Sequence, residues 1–148
     1  MEKPIVLLAD DNEPTTTLLT ALLHNDFEID VVSDGADAIE RLKTRSYAAV
    51  ILDLLMPEVD GFGVLEFVRQ HSPEVLKRIL VVSAALTRRE LDRLEPYDVC
   101  GIISKPFEVD SLLAAVRKCT GDARPLRGSI LNSGVIFLLA EMLRRQWM

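Results

Sequence analysis

The sequence has little of what secreted, disulfide-rich or membrane-spanning proteins need. Its two cysteines, Cys100 and Cys119, lack C-x-x-C spacing, so we expect small core residues and neither a zinc site nor a disulfide framework. The N-terminus carries no basic, apolar and cleavable segment typical of a signal peptide. The longest apolar stretch of the C-terminal part, residues 135–140, is far shorter than the roughly 18–20 residues of a membrane span. These absences predict a cytoplasmic protein without membrane contact.

Positive charge is also scarce. The chain has 17 basic and 23 acidic residues, a net charge of −6. Nucleic-acid binding needs clustered lysine and arginine, so we expect no nucleic-acid binding by this chain alone. The charge is uneven, because residues 1–120 carry 13 basic and 21 acidic residues, a difference of −8, whereas residues 121–148 carry four arginines and two acidic residues, a difference of +2. The C-terminal part therefore differs from the body of the chain.

Short apolar runs of strand length alternate with segments of helical periodicity. The predicted strands cover residues 5–9, 29–32, 48–52, 79–82 and 99–103. A predicted helix follows each strand; the fourth, at residues 88–94, has only Leu91 and Leu94 as apolar anchors, so we expect it to be loosely held. Five such repeats indicate an α/β fold, a doubly wound five-stranded parallel sheet with helices on both faces. The common strand order of this fold is 2-1-3-4-5.

Polar side chains stand where four of these strands end. Asp10 and Asp11 follow strand 1, Asp53 follows strand 3, Ser83 ends strand 4 and Lys105 follows strand 5. Neighbouring parallel strands end at one edge of the sheet, so these side chains should converge. Three carboxylates repel one another unless a cation lies among them, and Mg²⁺ prefers such oxygen ligands. With lysine and serine alongside, the cluster could take up a phosphoryl group on Asp53.

Four segments carry a family resemblance. They are Leu-Ala-Asp-Asp-Asn-Glu at 8–13, Asp-Leu-Leu-Met-Pro-Glu-Val-Asp-Gly at 53–61, Val-Val-Ser-Ala-Ala at 81–85 and Ser-Lys-Pro-Phe at 104–107. In this order they closely resemble the receiver domains of two-component response regulators, and the resemblance covers residues 4 to about 120. It implies the flavodoxin-like version of the fold. It also implies a phosphorylation-dependent signalling switch rather than an enzyme with an external substrate.

The resemblance assigns a role to each matching residue. Asp53 accepts a phosphoryl group from a histidine kinase or phosphotransfer protein, and the chain catalyses only its own phosphoryl transfer and dephosphorylation. Asp10, Asp11, Asp53 and the backbone carbonyl of Leu55 hold Mg²⁺. Ser83 and Lys105 grip the phosphoryl group, and the Lys105–Pro106 bond is cis. An unknown downstream protein then receives the signal by protein contact.

One position departs from the family pattern. Receiver domains often have an aromatic residue three positions before the lysine, and here that residue is Ile102. The switch formed by Ser83, Ile102 and Pro106 therefore lacks its aromatic part or has an altered one. Movement of Ser83 could still reshape the face made by helix 4, strand 5 and helix 5.

Residues beyond 120 form an appendage. We predict a receiver domain at 1–120, a linker at 121–128 and an amphipathic helix at 129–148. The helix is apolar over a wide arc, so it must bury that surface. Packing on its own domain, homodimerisation and insertion into a partner groove all stay open, and the face of helix 4, strand 5 and helix 5 is a second candidate dimer surface.

Other interpretations of these residues remain. Asp10 or Asp11 could cap the helix that begins near Pro14, and Ser83 could cap helix 4. A magnesium-dependent phosphohydrolase with its nucleophile after strand 1 would favour D-x-D, whereas Asn12 stands two positions after Asp10. A receiver-like protein that binds partners without phosphate, and a flavin carrier, are further classes; two carboxylates in the first loop argue against the flavin. His24 and His71 lack a second ligand at metal spacing, so we expect surface or capping roles.

Overall fold

A five-stranded parallel sheet forms the centre of the molecule. The computed structural model describes residues 3–84, 86–121, 141–142 and 144–145. The strands are β1 (Ile5–Ala9), β2 (Glu28–Val32), β3 (Ala49–Leu52), β4 (Ile79–Ser83) and β5 (Gly101–Ser104). They are arranged in the order β2-β1-β3-β4-β5, and every neighbouring pair is parallel. The predicted fold class and strand order are confirmed.

Helices connect the strands. They are α1 (Glu13–Leu23), α2 (Gly35–Thr44), α3 (Gly61–His71), α4 (Arg88–Leu94) and α5 (Val109–Thr120). A short 3-10 helix, Pro73–Arg78, lies between α3 and β4, and the sequence patterns above do not predict it. The last strand begins at Gly101 rather than at residue 99, because the Val99 amide turns back to donate to the Tyr97 carbonyl at 2.9 Å.

Alternate residues of β1 pack on opposite faces of the sheet. Val6 and Leu8 belong to the apolar cluster that α1 and α5 cover, and Leu7 and Ala9 belong to the cluster on the other face, which residues of α2 and α3 share. All four side chains are fully buried. A parallel strand that is covered on both faces needs apolar side chains at every position. For this reason the sequence of β1 shows no alternation of polar and apolar residues.

Side chains just before three helices cap their N-termini. Each accepts a hydrogen bond from an amide three residues later, at 2.8–3.0 Å: Asn12, Asp34 and Asp60. Thr87 occupies the cap position of α4. The interpretation of Asp10, Asp11 or Ser83 as helix caps is therefore wrong. His24 and His71 are exposed at the ends of α1 and α3, as expected.

Few apolar contacts hold α4. Leu94 is buried, whereas Leu91 is 40% exposed, so only one of the two predicted anchors is inside the core. The Arg93 guanidinium lies over the Phe62 ring at 3.7 Å from its centroid, an interaction that holds the solvent side of the helix to α3. The prediction that α4 is loosely held stays a prediction.

Most of the predicted linker at 121–128 and of the C-terminal helix at 129–148 lies outside the described residues. Residues 141–142 and 144–145 are helical. The guanidinium of Arg144 lies 4.0 Å from the Glu108 carboxylate, and the Met142 side chain is 61% exposed. These residues therefore lie beside the N-terminal end of α5. In the parts of the chain given above, no helix combines the length and apolarity needed to cross a bilayer.

The two cysteines do not behave as predicted. Cys100, directly before β5, and Cys119, near the end of α5, are joined in a disulfide. Both belong to or pack against the apolar cluster under α1 and α5. The expectation of two separate core thiols was wrong, because residues 19 positions apart meet only when α5 folds back along β5.

Gly61 supplies a stability test, since α3 begins against the loop that follows β3. A Cβ at position 61 would lie 2.4 Å from the Asp53 carbonyl oxygen and 2.7 Å from the Leu54 Cα. Gly61→Ala should therefore lower the free energy of unfolding by roughly 1–3 kcal/mol, as measured by urea denaturation. Gly63→Ala is the control, because its nearest contact is the half-exposed side chain of Val59. Equal losses in both variants would contradict the prediction.

Candidate functional site

Backbone hydrogen bonds place the polar residues at one edge of the sheet. The Asp53 amide donates to the Ala9 carbonyl at 2.9 Å, and Ala9 is followed directly by Asp10. On the other side, the Lys105 amide donates to the Ser83 carbonyl at 3.0 Å. The hydrogen bonds between the strands thus continue one residue past the end of β3 and one residue past the end of β5. The functional side chains therefore start from fixed backbone positions rather than from free loops.

A buried lysine connects two of the carboxylates. The Lys105 Nζ lies 2.7 Å from the Asp10 Oδ2 and 3.4 Å from the Asp53 Oδ2. The three side chains are 4–7% exposed. Buried ions of opposite sign are stable only when they are well paired, since each has lost its hydration. Removing Lys105 would leave two like charges facing each other in this crevice.

Asp11 completes an acidic cluster. One carboxylate oxygen from each of Asp10, Asp11 and Asp53 lies within 4.8 Å of the others. Asp11 is exposed, whereas the other two are buried, so the cluster opens to solvent on one side. Mg²⁺ binds one or two carboxylates and keeps several waters. The donor set and the open side both fit this ion.

Burial changes the acidity of Asp10. Loss of hydration raises the pKa of its carboxyl to about 6, and the Asp53 charge adds to the rise. The Lys105 ammonium and its hydrogen bond oppose the rise, and so does the Asn12 amide. The direction of this shift means that Lys105 does not fully compensate for the burial of the Asp10 carboxylate. A divalent cation would shift this balance toward the ionised form.

Asn12 contacts the site, and the sequence patterns considered above did not identify it. Its amide donates to the Asp10 Oδ1 at 2.9 Å, and its side chain accepts from both the amide and the hydroxyl of Thr15. Asn12 therefore joins the start of α1 to the orientation of the Asp10 carboxylate. An asparagine three residues before a threonine at the start of an apolar helical stripe is a capping signal, and it could have identified this residue.

The remaining predicted residues differ in burial and in their contacts with the cluster. The Leu55 amide donates to the Asp53 Oδ1 at 3.3 Å, while the Leu55 side chain is 58% exposed. Ser83 is fully buried at the end of β4. Pro106 follows Lys105 through a cis bond, as the resemblance implied. Ile102 stands apart, with a side chain that is 41% exposed.

The pKa of Asp10 gives a prediction about stability. A carboxyl whose pKa is higher in the folded state than in the unfolded state stabilises the fold at low pH, and this contribution is lost as the pH rises through about 6. Asp10→Asn removes the charge, so it should raise the free energy of unfolding at pH 8 by roughly 1–3 kcal/mol. The difference from the original chain should close toward pH 4. Urea denaturation in the presence of a chelator measures both.

Asp11→Asn is the matched control for this prediction. Its carboxylate is exposed, so the substitution should change stability by no more than about 0.5 kcal/mol. A loss of stability in Asp10→Asn at pH 8 would mean that the ion pair with Lys105 outweighs the burial of the charge.

Comparisons with known proteins identify the family of this chain. The family model for the response regulator receiver domain matches residues 6–117. The chain is 29% identical over 136 residues to the transcriptional regulatory protein DltR of Streptococcus agalactiae, covering 90% of this chain and 59% of DltR. A sensor protein from Polaromonas sp. JS666 superposes with a TM-score of 0.71 at 29% identity, covering 80% of this chain and 96% of that one. The receiver domain of sensor histidine kinase PA1611 from Pseudomonas aeruginosa, with magnesium in its active site cleft, superposes with a TM-score of 0.72 at 20% identity, covering 81% and 99%. The chain therefore belongs to the response regulator receiver domain family.

Proposed function

We propose that this receiver domain is a phosphorylation-dependent switch whose acceptor is Asp53. The observation that carries the proposal is the pairing of Asp53 with the buried ammonium of Lys105, beside the carboxylates of Asp10 and Asp11. A histidine kinase or a phosphotransfer protein would supply the phosphoryl group. In the transfer, an Asp53 carboxylate oxygen forms a bond to phosphorus while the donor's bond to phosphorus breaks.

Asp10, Asp11 and Asp53, with the Leu55 carbonyl, would hold Mg²⁺. The support is the cluster of carboxylate oxygens and the magnesium ion in the PA1611 receiver domain. When bound, the ion would offset the negative charge of the carboxylates and of the incoming phosphoryl oxygens. The exposed Asp11 gives the ion a path from solvent.

Two residues would hold the transferred group. Lys105 already faces Asp53, and after transfer its ammonium would pair with a phosphoryl oxygen instead of the Asp53 carboxylate. The Ser83 hydroxyl would donate a hydrogen bond to another oxygen. Because the Lys105 amide is bonded to the Ser83 carbonyl, the two groups would move together. The domain would catalyse only this transfer and its own dephosphorylation.

The signal would leave through the face made by α4, β5 and α5. Ser83 ends β4, beside β5, and Ile102 on β5 is exposed. Ile102 is aliphatic and cannot supply the aromatic part of the switch. Movement of Ser83, Lys105 and Pro106 after phosphorylation would therefore itself reshape the face. A downstream protein would recognise the altered surface, and homodimerisation through this face or through the C-terminal helix is a further use.

The chain spans 59% of the length of DltR, so the proposal concerns the receiver domain and not the activity of a whole regulator. We place the receiver domain at 1–120, the linker at 121–128 and the amphipathic helix at 129–148. We propose a cytoplasmic location, where histidine kinases expose their phosphoryl donors. This chain by itself would contact proteins and not nucleic acid.

Phosphorylation with a small donor tests the acceptor. In acetyl phosphate and Mg²⁺, the original chain should gain one phosphoryl group, and Asp53→Asn should gain none, because an amide is a poor nucleophile. Asp60→Asn is the control, since it keeps the cap of α3 in the same loop. Intact-protein mass spectrometry measures the product. Labelling that survives Asp53→Asn would overturn the assignment, and turnover of phosphomonoesters by that variant would favour the phosphohydrolase.

Magnesium binding tests the acidic cluster. At ten times its dissociation constant, the ion should stabilise the fold by about 1.4 kcal/mol and raise the midpoint of thermal unfolding by roughly 3–6 °C. Asp11→Asn should lose this shift, because the cluster then has one carboxylate fewer. Asp34→Asn, which alters the partly exposed cap of α2, should keep this shift. If Mg²⁺ leaves the midpoint of the original chain unchanged, the chain is a receiver-like partner protein that functions without the metal.

A further inference from the structure

The pairing of Cys100 with Cys119 is not explained by phosphoryl transfer. Their Cα atoms are 5.6 Å apart, which is the usual separation for a disulfide. Cys100 precedes β5, whereas Cys119 lies in the last turn of α5. The bond therefore ties the start of the last strand to the end of the last helix.

The fold itself brings the two cysteines together. The Cys100 amide donates to the Ile79 carbonyl at 2.8 Å, so its backbone is held on β4. The Cys119 side chain is buried in the cluster that includes Leu112 and Val116 of α5. Both positions are thus set by hydrogen bonds and apolar packing that do not need the sulfur–sulfur bond. Two reduced thiols at these positions would remain neighbours, ready to be oxidised.

The two cysteine residues differ in exposure. Cys100 is half-buried, whereas Cys119 is 7% exposed. A soluble oxidant therefore reaches Cys100 first, and Cys119 closes the bond from inside the core. In a reducing compartment, bonds of this kind form transiently and serve redox sensing more often than they serve structure.

We propose that Cys100 and Cys119 are a reversible dithiol–disulfide pair, a redox-modification site that fixes α5 to β5. The oxidant is a low-molecular-weight disulfide. The Cys100 thiolate attacks one of its sulfurs and releases one small thiol, leaving a mixed disulfide. The Cys119 thiolate then attacks the Cys100 sulfur and releases the second small thiol. The protein loses two electrons and two protons, and the small disulfide gains them.

The bond encloses the switch region in a covalent ring. Between Cys100 and Cys119 lie β5, Lys105 with Pro106, and most of α5. Oxidation therefore restrains movement of α5 against β5, the two elements that flank Lys105. This consequence rests on the proposed function, since it concerns the response to phosphorylation. The redox pair itself stands on the positions of the two cysteines alone.

The first experiment measures the thiols. The full chain is equilibrated with reduced and oxidised glutathione in varied ratio, quenched with acid, alkylated and weighed by mass spectrometry. Both thiols should disappear together as the ratio becomes oxidising and return with dithiothreitol under native conditions.

Cys119→Ala should accumulate a mixed disulfide with glutathione at Cys100. Cys100→Ser should keep a slowly reacting thiol at the buried Cys119. Alanine suits the apolar surroundings of Cys119, and serine suits the partly exposed Cys100, so both variants should fold.

The outcomes separate the alternatives. Two thiols that stay free in oxidised glutathione would overturn the redox pair and make the cysteines ordinary core residues. A bond that native reduction does not open would overturn the reversible site and make it a permanent crosslink.

The bond should also raise the midpoint of thermal unfolding by roughly 10 °C, as expected for a closed loop of this length. Equal midpoints in oxidised and reduced protein would show that the pair does not restrain the fold.

The second experiment joins the pair to the switch. Hydrogen exchange of residues 101–120 is measured with and without acetyl phosphate and Mg²⁺, in reduced and oxidised protein. The reduced protein should respond to the donor, and the oxidised protein should lose that response. Cys119→Ala should respond equally in both conditions. No response even in reduced protein would contradict the proposed signalling face and leave the thiol result standing, whereas equal responses in both redox states would overturn the restraint.

Discussion

The ion pairs of Lys105 with Asp10 and Asp53 are the interaction on which the site depends. They join the segment after β5 to the ends of β1 and β3. Both carboxylates are buried, so their charges would repel each other strongly without the ammonium between them. The strand order makes the pairing possible, because it brings residues from both halves of the chain to one edge of the sheet. The proposed metal binding, phosphoryl acceptance and switching would all begin from this arrangement.

The same arrangement is unfavourable for stability. The pKa of Asp10 rises to about 6 because its charge is buried beside another carboxylate, and a fold selected for stability alone would remove that charge. Rigid neighbours keep the acidic residues in place: the Asn12 amide donates to Asp10, and Gly61 lets α3 approach the Asp53 backbone. These contacts hold the acidic residues in the arrangement that the proposed function requires, at some cost to the folded state.

The segment from β5 to α5 combines two kinds of control. Lys105 connects this segment to the acceptor site, and the cysteines connect its two ends to each other. Ile102 is an exposed aliphatic residue where receiver domains often have an aromatic one, so in the proposed switch the movement of the backbone would carry more of the signal. The disulfide between Cys100 and Cys119 would restrain that movement, because it joins the two ends of the segment. Phosphorylation and oxidation would therefore compete for the same elements.

The sequence determined the alternation of strands and helices, the parallel sheet and the four acid and base residues of the cluster, because apolar periodicity and strand ends are local signals. It missed the pairing of Cys100 with Cys119, since contact between residues 19 positions apart depends on how α5 folds back. The sequence also left open that Asp10 or Asp11 caps α1, whereas Asn12 is the cap in the structure. The raised pKa of Asp10 and the two ion pairs of Lys105 depend on the folded chain, because desolvation and short distances arise when remote segments pack together.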